Sequence, residues 1–322
     1  MLGEFGRIAK FFAPLAGPGG LGLKDDAALV ECAPGRQLVV TVDAIVEGVH
    51  YLPDDPPDLV AKKLLRVNLS DLSAKGARPL HYLLVTALPA RLGDDWVARF
   101  AAGLGDDQRR YGLALLGGDS VATPGPAMLS LTALGDVASG AEIRRSGAKP
   151  GDRVWVSGTI GDAWLGLKVL RGDYPALAAA DRDFLTARFR LPEPRVALGP
   201  RLAGLAHAMC DISDGLVADL GHLCEASGMG ATVSLAAVPL SAAARRLMAS
   251  DPALPVSLAT GGDDYELLFA APQAASEAIA ALAGELDLPL AAIGTIEEGA
   301  GVRLVDAAGS QISVASGGWT HF

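Results

Sequence analysis

The chain has 322 residues, half of them hydrophobic, which is enough apolar material for two medium-sized cores, so two domains are predicted. Its net charge of -10 argues against the basic surface that binding to nucleic acid or to an anionic membrane requires. The three cysteines lack CxxC spacing and indicate neither a disulfide framework nor a zinc site. Apolar runs fall short of the roughly 18 residues of a membrane span, and no signal pattern opens the chain, which predicts a cytoplasmic protein.

The first notable polar feature is a pair of acids. A helix is predicted over residues 4–13 and a Gly/Pro-rich loop over 14–22, after which Asp25 and Asp26 precede a short strand predicted over 28–30. Two adjacent carboxylates at the entrance to a strand form either a solvated turn or half of a cation site. These residues alone leave both interpretations open.

Another acid follows the run of β-branched residues 39–42. This run predicts a buried strand that ends at Asp43. Loops at the ends of strands are where sites are usually built, and His50 follows after a turn that Gly48 permits. The alternative is an ordinary turn with solvated polar residues.

The helix predicted over 58–75 carries a further acid, Asp71. At helical spacing Asp71 falls on the flank of the buried face, where an unpaired carboxylate is costly. Its partner is therefore either Lys75, four residues on, or a metal ion shared with Asp43. The same spacing predicts a buried face with Leu65, Leu69 and Leu72 and an exposed face with Lys62, Arg66, Ser70 and Ser73.

Several later turns also carry acids. A strand predicted over 113–116 runs into the turn 117–120, where two glycines let a ligand approach Asp119. Asp211, Ser213 and Asp214 precede a helix predicted over 216–227, whose first N–H groups favour an anion or a carboxylate cap. The other elements are strands predicted over 81–88, 127–137, 153–157, 291–296 and 302–305, and helices over 94–111, 162–171 and 273–286.

If these acids converge, they repel one another strongly unless cations lie between them. Carboxylates without Cys ligands select hard ions, so Mg²⁺ is the expected metal. Mg²⁺ held by carboxylates usually serves a polyphosphate. Because the chain has neither a GxxxxGK[ST] loop nor the kinase HRD and DFG motifs, a nucleotide would be bound in another way.

A series of segments in matching order and spacing resembles the thiamine-monophosphate kinase family along nearly the whole chain. Each segment alone is a weak signal, and the agreement of all of them is a strong one. They cover residues 25–28, 41–43, 48–50, 67–72, 117–119, 145–152, 211–216 and 261–267, together with the closing Trp-Thr-His-Phe.

The resemblance implies an α/β (α+β) fold of the aminoimidazole-ribotide-synthetase-like superfamily. The polar, Gly/Pro-marked stretch 138–151 is taken as the domain boundary. Domain 1–137 is then expected to bind ATP and Mg²⁺ and to form a homodimer, and domain 138–322 to complete the nucleotide and substrate site. The implied reaction transfers the γ-phosphoryl group of ATP to thiamine monophosphate, giving thiamine diphosphate.

The resemblance also implies roles for single residues. The implied Mg²⁺ ligands are Asp26, Thr41, Val42, Asp43, Asp71, Asp119, Asp211 and Asp214. The implied ATP contacts are Tyr111, Gly118, Asp119, Arg145 and Ser213, and the implied contacts to thiamine monophosphate are His50, Asp263 and Trp319. No general base, covalent nucleophile or phosphoenzyme is expected, because the accepting phosphate oxygen is already anionic.

The chain departs from the family pattern at three positions. Val42 stands where the family commonly has Thr, which leaves only the backbone carbonyl as a ligand, and Lys24 replaces a Gly. Asp263 is one methylene shorter than the usual Glu, and this bears on its reach to the substrate. Without the resemblance, Trp319 would more often be a packing anchor than a ligand contact.

If the chain is an enzyme, the alternatives are other members of the same superfamily. Selenophosphate synthetase would need a reactive Cys or selenocysteine near the N-terminus, whereas the first cysteine here is Cys32; the hydrogenase-maturation member would need a C-terminal Cys, where this chain has Phe322. Aminoimidazole ribotide synthetase fits the chemistry, although its segments match less well. Outside enzymes, the alternative is a catalytically silent sensor of nucleotide and metal.

Overall fold

The computed structural model describes residues 3–24, 27–249, 251, 253–314 and 317–319. The chain separates into two compact units. The first unit comprises Met1–Leu72 and Ala77–Gly140, and the second comprises Ser73–Gly76 and Ala141–Phe322. None of the helices in the described part of the chain has both the length and the apolar character that crossing a membrane needs.

The first unit is built on a four-stranded sheet. Its elements are α1 (Glu4–Arg7), β1 (Arg36–Val46), α2 (Pro57–Ala74), β2 (Arg78–Leu88), α3 (Asp94–Tyr111), β3 (Ala114–Ala122) and β4 (Met128–Ala138). The strands pair in the order β1-β4-β2-β3, with β2 parallel to β3 and the other pairs antiparallel. The predicted helices over 58–75 and 94–111 are thereby confirmed as α2 and α3.

The segment between α1 and β1 differs in part from its prediction. It continues α1 through a π-helical turn, Ile8–Phe12, and then makes tight turns over Ala13–Leu15 and Pro18–Leu23. The predicted strand over 28–30 is wrong. The Leu29 N–H donates to the carbonyl of Gly19 at 2.9 Å, and Leu29 is 65% exposed, so this short apolar run joins no sheet.

The predicted exposed face of α2 is also wrong in part. Arg66, Ser70 and Ser73 are buried, because this helix is covered on more than one side. The Arg66 guanidinium forms two hydrogen bonds with the Asp107 carboxylate of α3, at 2.7 and 3.1 Å, and this pairing makes burial of the charge tolerable. A helical pattern identifies an apolar stripe but not a buried ion pair with a partner from another helix.

Two acids that were expected at strand ends lie inside strands. Asp43 is within β1, which continues to Val46. Asp119 is within β3, because the pairing of β3 with β2 continues through the Gly117–Gly118 pair to Ala122. Gly118 is required there: its φ is 155°, and a Cβ would overlap the carbonyl oxygen of Leu84 on β2.

The second unit is built on a seven-stranded sheet in the order β11-β10-β7-β9-β5-β8-β6. Its strands are β5 (Arg153–Ser157), β6 (Ala208–Asp211), β7 (Gly230–Ser234), β8 (Leu267–Ala271), β9 (Leu290–Glu297), β10 (Gly301–Val305) and β11 (Gln311–Ile312). Its helices are α4 (Asp162–Leu170), α5 (Ala179–Arg190), α6 (Leu216–Ser227), α7 (Ala242–Met248), α8 (Leu254–Thr260) and α9 (Ser276–Glu285). The predicted strand over 153–157 and helix over 216–227 are confirmed.

Separate apolar clusters hold this second sheet and its helices together. Leu216, Leu220 and Leu223 of α6 pack with residues of the sheet, and Ile279 of α9 packs in another cluster with Phe269 of β8. The mixed α/β fold class is therefore confirmed. The loops that end β6 and precede β8 lie beside the first turn of α6, and they carry most of the functional residues predicted for this half.

Candidate functional site

A polar cluster joins β1 to α2 in the first unit. The Thr41 hydroxyl donates to the Asp71 carboxylate at 2.6 Å. The Asp43 N–H donates to the Asn68 side-chain oxygen at 3.1 Å, and the Asn68 amide in turn donates to the Leu64 carbonyl at 2.9 Å. The strand and the helix thus bring together Thr41, Asp43 and Asp71, three of the residues predicted to bind Mg²⁺.

The alternation of side chains along β1 separates Val42 from this cluster. Thr41 and Asp43 point towards α2, whereas the Val42 side chain points to the opposite face of the sheet and is 61% exposed. A threonine at this position would direct its hydroxyl to the same exposed face. The departure at Val42 therefore removes no side-chain oxygen from the cluster.

The donor set suits a hard divalent ion, because Thr41, Asp43 and Asp71 offer only oxygen atoms. Asp26, the other Mg²⁺ ligand predicted near this part of the sequence, lies outside the described residues. Among the residues that the structure describes, no group of three or more His, Cys, Asp or Glu side chains is arranged to hold a metal ion. The fit of the first unit to Mg²⁺ therefore rests on the chemistry of these oxygen donors.

His50 lies in the turn after β1. Its Nδ1 accepts the Val46 N–H at 3.0 Å, so in the neutral ring the proton is on Nε2. The buried Lys63 of α2 donates to the His50 carbonyl at 2.9 Å. The ring is thus oriented by its own turn, and the backbone of that turn is tied to α2.

A cavity of about 210 Å³ lies in the first unit beside β3. Apolar side chains of the N-terminal segment, including Ile8 and Phe12, line it together with Leu116. Gly118 and Asp119, both predicted ATP contacts, are among the described residues of its wall. Tyr111, also a predicted ATP contact, lies elsewhere, at the end of α3, with its ring centroid 5.7 Å from the guanidinium carbon of Arg66.

In the second unit, the turn after β6 is organised by a residue that was not predicted. The N–H groups of Ser213, Asp214 and Gly215 all donate to one oxygen of the Asp219 carboxylate, at 3.0, 3.0 and 3.1 Å. Burial and the nearby Asp214 charge raise the pKa of Asp219 to about 6, while the three N–H groups oppose this rise. The cap at the start of α6 is therefore supplied by Asp219, whereas the buried Asp211 ends β6.

Two predicted substrate contacts meet at this same turn. The Asp263 N–H donates to the Ser213 carbonyl at 2.8 Å, and the Trp319 N–H donates to the Asp214 carbonyl at 2.9 Å. The Trp319 side chain is 58% exposed, which disfavours the packing-anchor interpretation. The second unit thus brings together Ser213, Asp214, Asp263 and Trp319.

Arg145 lies on the chain segment that runs beside β6. The backbone of its neighbour Arg144 accepts the Met209 N–H at 2.8 Å, and the Arg145 carbonyl accepts the Ser227 hydroxyl at 3.2 Å. The Arg145 side chain itself is exposed. This segment is therefore held by its backbone, while its guanidinium remains accessible to solvent.

Two further residues of the second site were not predicted as functional. Asp219 could have been noticed as an acid in the first turn of a helix, where N–H groups favour negative charge. Tyr265 donates its hydroxyl to the Asp263 carboxylate at 3.2 Å, and no spacing rule indicates that contact because residue 265 has a left-handed backbone.

Comparisons with known proteins agree with this architecture. The family model "AIR synthase related protein, N-terminal domain" matches residues 24–137, and the model of the corresponding C-terminal domain matches residues 149–307. The thiamine-monophosphate kinase of Caulobacter vibrioides is 43% identical over 325 residues, which cover 99% of this chain and 90% of that protein.

Two solved structures are similar over most of their length. The thiamine-monophosphate kinase from Stenotrophomonas maltophilia K279a has 42% sequence identity and a TM-score of 0.81, with 88% of this chain and 89% of that chain covered. AaThiL, solved in complex with AMPPCP and TMP, has 32% sequence identity and a TM-score of 0.79, with 100% of this chain and 97% of that chain covered. With matched models over both halves and a close relative along nearly its whole length, the chain belongs to the thiamine-monophosphate kinase family.

Proposed function

We propose that this chain transfers the γ-phosphoryl group of ATP to the phosphate of thiamine monophosphate, giving thiamine diphosphate and ADP. The observation that carries the proposal is the similarity along the whole chain to relatives that bear this activity in their name. The match to AaThiL, which was solved with AMPPCP and TMP, supports a nucleotide and a thiamine phosphate as the two ligands.

The first unit would hold Mg²⁺ through Thr41, Asp43 and Asp71. Asp119, whose side chain lies on the same face of the sheet as Val42, and Asp26, which lies outside the described residues, are assigned to Mg²⁺ on the basis of the family resemblance alone. When bound, Mg²⁺ supplies the positive charge that offsets the phosphate charges of donor and acceptor. The protein's part is to keep its oxygen atoms in place. Thr41 orients the Asp71 carboxylate, and Asn68 fixes the backbone at Asp43.

Each unit has residues that we assign to the nucleotide. In the first unit, Gly118 lies in the wall of the cavity beside Asp119, and we assign it to ATP. In the second unit we assign Arg145 and Ser213 to ATP, because a guanidinium suits phosphate oxygens, and Asp211 and Asp214 to Mg²⁺. Tyr111 is retained as an ATP contact on the basis of the family resemblance alone.

In the second unit we assign Asp263 and Trp319 to thiamine monophosphate, and in the first unit His50 is assigned to it on the basis of the family resemblance alone. The thiazolium ring of thiamine monophosphate is positively charged, and an indole face attracts such a cation by roughly 0.5 to 2 kcal/mol. The exposed Trp319 side chain is available for this contact, and its backbone is held by Asp214. The nearby Asp263 carboxylate adds negative charge. Because the accepting phosphate oxygen is already anionic, we propose direct in-line transfer without a protein nucleophile.

A turnover assay tests this proposal. Purified protein with ATP and Mg²⁺ should release ADP over many turnovers only when thiamine monophosphate is added, and thiamine diphosphate should appear in equal amount. The substrate of aminoimidazole ribotide synthetase should give no stimulation. Binding of ATP and thiamine monophosphate without turnover would contradict the proposal and favour a sensor.

The Mg²⁺ assignment predicts a large effect of one substitution in α2. Asp71→Asn keeps an oxygen that can accept the Thr41 hydroxyl but removes the charge. We expect turnover at saturating Mg²⁺ to fall by at least about a hundredfold, as when a charge-stabilising group is lost.

Asp58→Asn is the matched control for this substitution, because it lies in the same helix and loses only an exposed pair with Arg99. Its turnover should stay within about twofold of the wild type, since such pairs contribute little. Near-normal turnover of Asp71→Asn would show that Asp71 has only a structural role.

We further propose that the first unit forms a homodimer through the exposed face of its sheet. The strand register places apolar side chains side by side on this face, and Val42 of β1 and Leu83 of β2 flank the same residue of β4, Thr132. Large exposed apolar patches mark interaction surfaces, and a second copy offers a matching surface. The exposed apolar residues on this face are Leu38, Val40, Val42, Leu83, Val121 and Met128.

The dimer is tested by the mass in solution. The wild type should have twice the 32.9 kDa of one chain in sedimentation equilibrium. Val40→Glu puts a charge on the apolar face, in the edge strand β1, and should give monomers, because an unpaired charge is costly to bury. Phe184→Glu in α5 is the control, since Phe184 is also exposed but lies in the second unit. A dimeric Val40→Glu or a monomeric wild type would contradict the proposal.

A further inference from the structure

The loop that carries Asp263 has an unusual backbone. Asp263 and Tyr265 have φ angles of 73° and 52°, in the left-handed region that side-chain-bearing residues seldom adopt. Such conformations persist only where the surrounding structure imposes them, and they concentrate at ligand sites. The residues that impose this loop are therefore candidates for a functional role.

One anchor of the loop is Asp264, whose side chain is buried. Its carboxylate accepts the Gly161 N–H at 2.6 Å and the Ala163 N–H at 3.4 Å, at the start of α4. Burial raises the pKa of Asp264, while these backbone hydrogen bonds lower it. The side chain thus ties the centre of the loop to the N-terminus of a helix.

The other anchor is the fully buried Glu266. Arg188 donates to one of its oxygens at 2.9 Å, and Arg195 donates to both, at 2.6 Å from Nε. Ser157 donates to Glu266 at 2.6 Å and accepts the Leu267 N–H at 2.9 Å. A Cβ on Gly158 would overlap the Glu266 carboxylate, so the pocket around this group has no spare room. Two guanidinium groups and a hydroxyl therefore hold the end of the loop.

Alternating with these anchors along the chain, Asp263 and Tyr265 face the turn that follows β6. The Tyr265 N–H donates to the Ile212 carbonyl at 2.7 Å, and the Asp263 N–H donates to the Ser213 carbonyl at 2.8 Å. The Tyr265 hydroxyl donates to the Asp263 carboxylate at 3.2 Å. Alternate residues of the loop are thus either buried as anchors or directed to the predicted substrate site.

We propose that Tyr265 and Glu266 are positioning residues for thiamine monophosphate: the Glu266–Arg188–Arg195 cluster holds the loop in its left-handed conformation, and the Tyr265 hydroxyl directs the Asp263 carboxylate to the substrate. This inference rests on the proposed function. It explains how the shorter Asp263 side chain is used, because a fixed backbone and a hydroxyl contact restrict where its carboxylate can lie.

A double-mutant cycle tests the role of Tyr265. Tyr265→Phe keeps the ring and removes the hydroxyl, and it should raise the KM for thiamine monophosphate about three- to tenfold, the size expected for one hydrogen bond of average strength. The KM for ATP should not change. In an Asp263→Ala background the same substitution should leave the KM for thiamine monophosphate unchanged, because the carboxylate that the hydroxyl contacts is absent.

The role of the buried cluster is tested with Glu266→Gln, which should raise the KM for thiamine monophosphate more than that for ATP. Arg188→Lys is the second variant in case Glu266→Gln does not fold, since it keeps the charge but loses the planar fork. Leu304→Ala in β10 and Arg246→Gln, which breaks the Asp181 pair, are the controls. Leu304→Ala should lower the stability to urea, and Arg246→Gln should change the surface charge. Neither should change the KM for thiamine monophosphate relative to the KM for ATP.

The outcomes distinguish this inference from the proposed function. Equal changes in both KM values, or a Tyr265→Phe effect that persists in Asp263→Ala, would overturn the positioning role. A wild type without turnover of thiamine monophosphate would contradict the proposed function instead. Crystal structures of Tyr265→Phe and Glu266→Gln give a readout independent of activity: the inference expects a rotated Asp263 carboxylate in the first and a relaxed φ at residues 263 and 265 in the second.

Discussion

Both units depend on the same constraint, the cost of removing a carboxylate from water. Three buried acids illustrate how the protein supplies compensating groups: Asp107 has a guanidinium, Glu266 has two guanidinium groups and a hydroxyl, and Asp219 has three backbone N–H groups. These contacts join α2 to α3, fix the loop before β8 and cap α6. The architecture around the proposed sites is therefore determined by where buried charges are neutralised.

Most of the acids that we propose for Mg²⁺ are more exposed than these structural acids, whereas Asp211 is buried as they are. Asp43, Asp71 and Asp214 are partly exposed, and Asp119 is exposed, so a ligand can reach them. Asp71 accepts the Thr41 hydroxyl. The carboxylates that stabilise the fold are thus buried with donors of the protein, and the described acids that we propose for Mg²⁺, apart from the buried Asp211, are accessible to cations.

Much of the fold follows from local patterns in the sequence, because α2, α3, β5 and α6 combine a clear apolar period with helix or strand boundaries. The ends of β1 and β3 were not predictable in this way, since pairing with neighbouring strands extends them past Asp43 and Asp119. The role of Glu266 was missed for a related reason. Its arginine partners are 71 and 78 residues away in the sequence, and only the folded chain brings them together.

We propose that the protein contributes position and charge to phosphoryl transfer and forms no covalent intermediate. This proposal is tested most directly by following the configuration of a γ-phosphoryl group that is chiral through oxygen isotopes and sulfur. A single in-line transfer from ATP to thiamine monophosphate predicts inversion at phosphorus in the thiamine diphosphate formed. Retention of configuration would require two successive displacements, and therefore a phosphoenzyme, and would contradict the account.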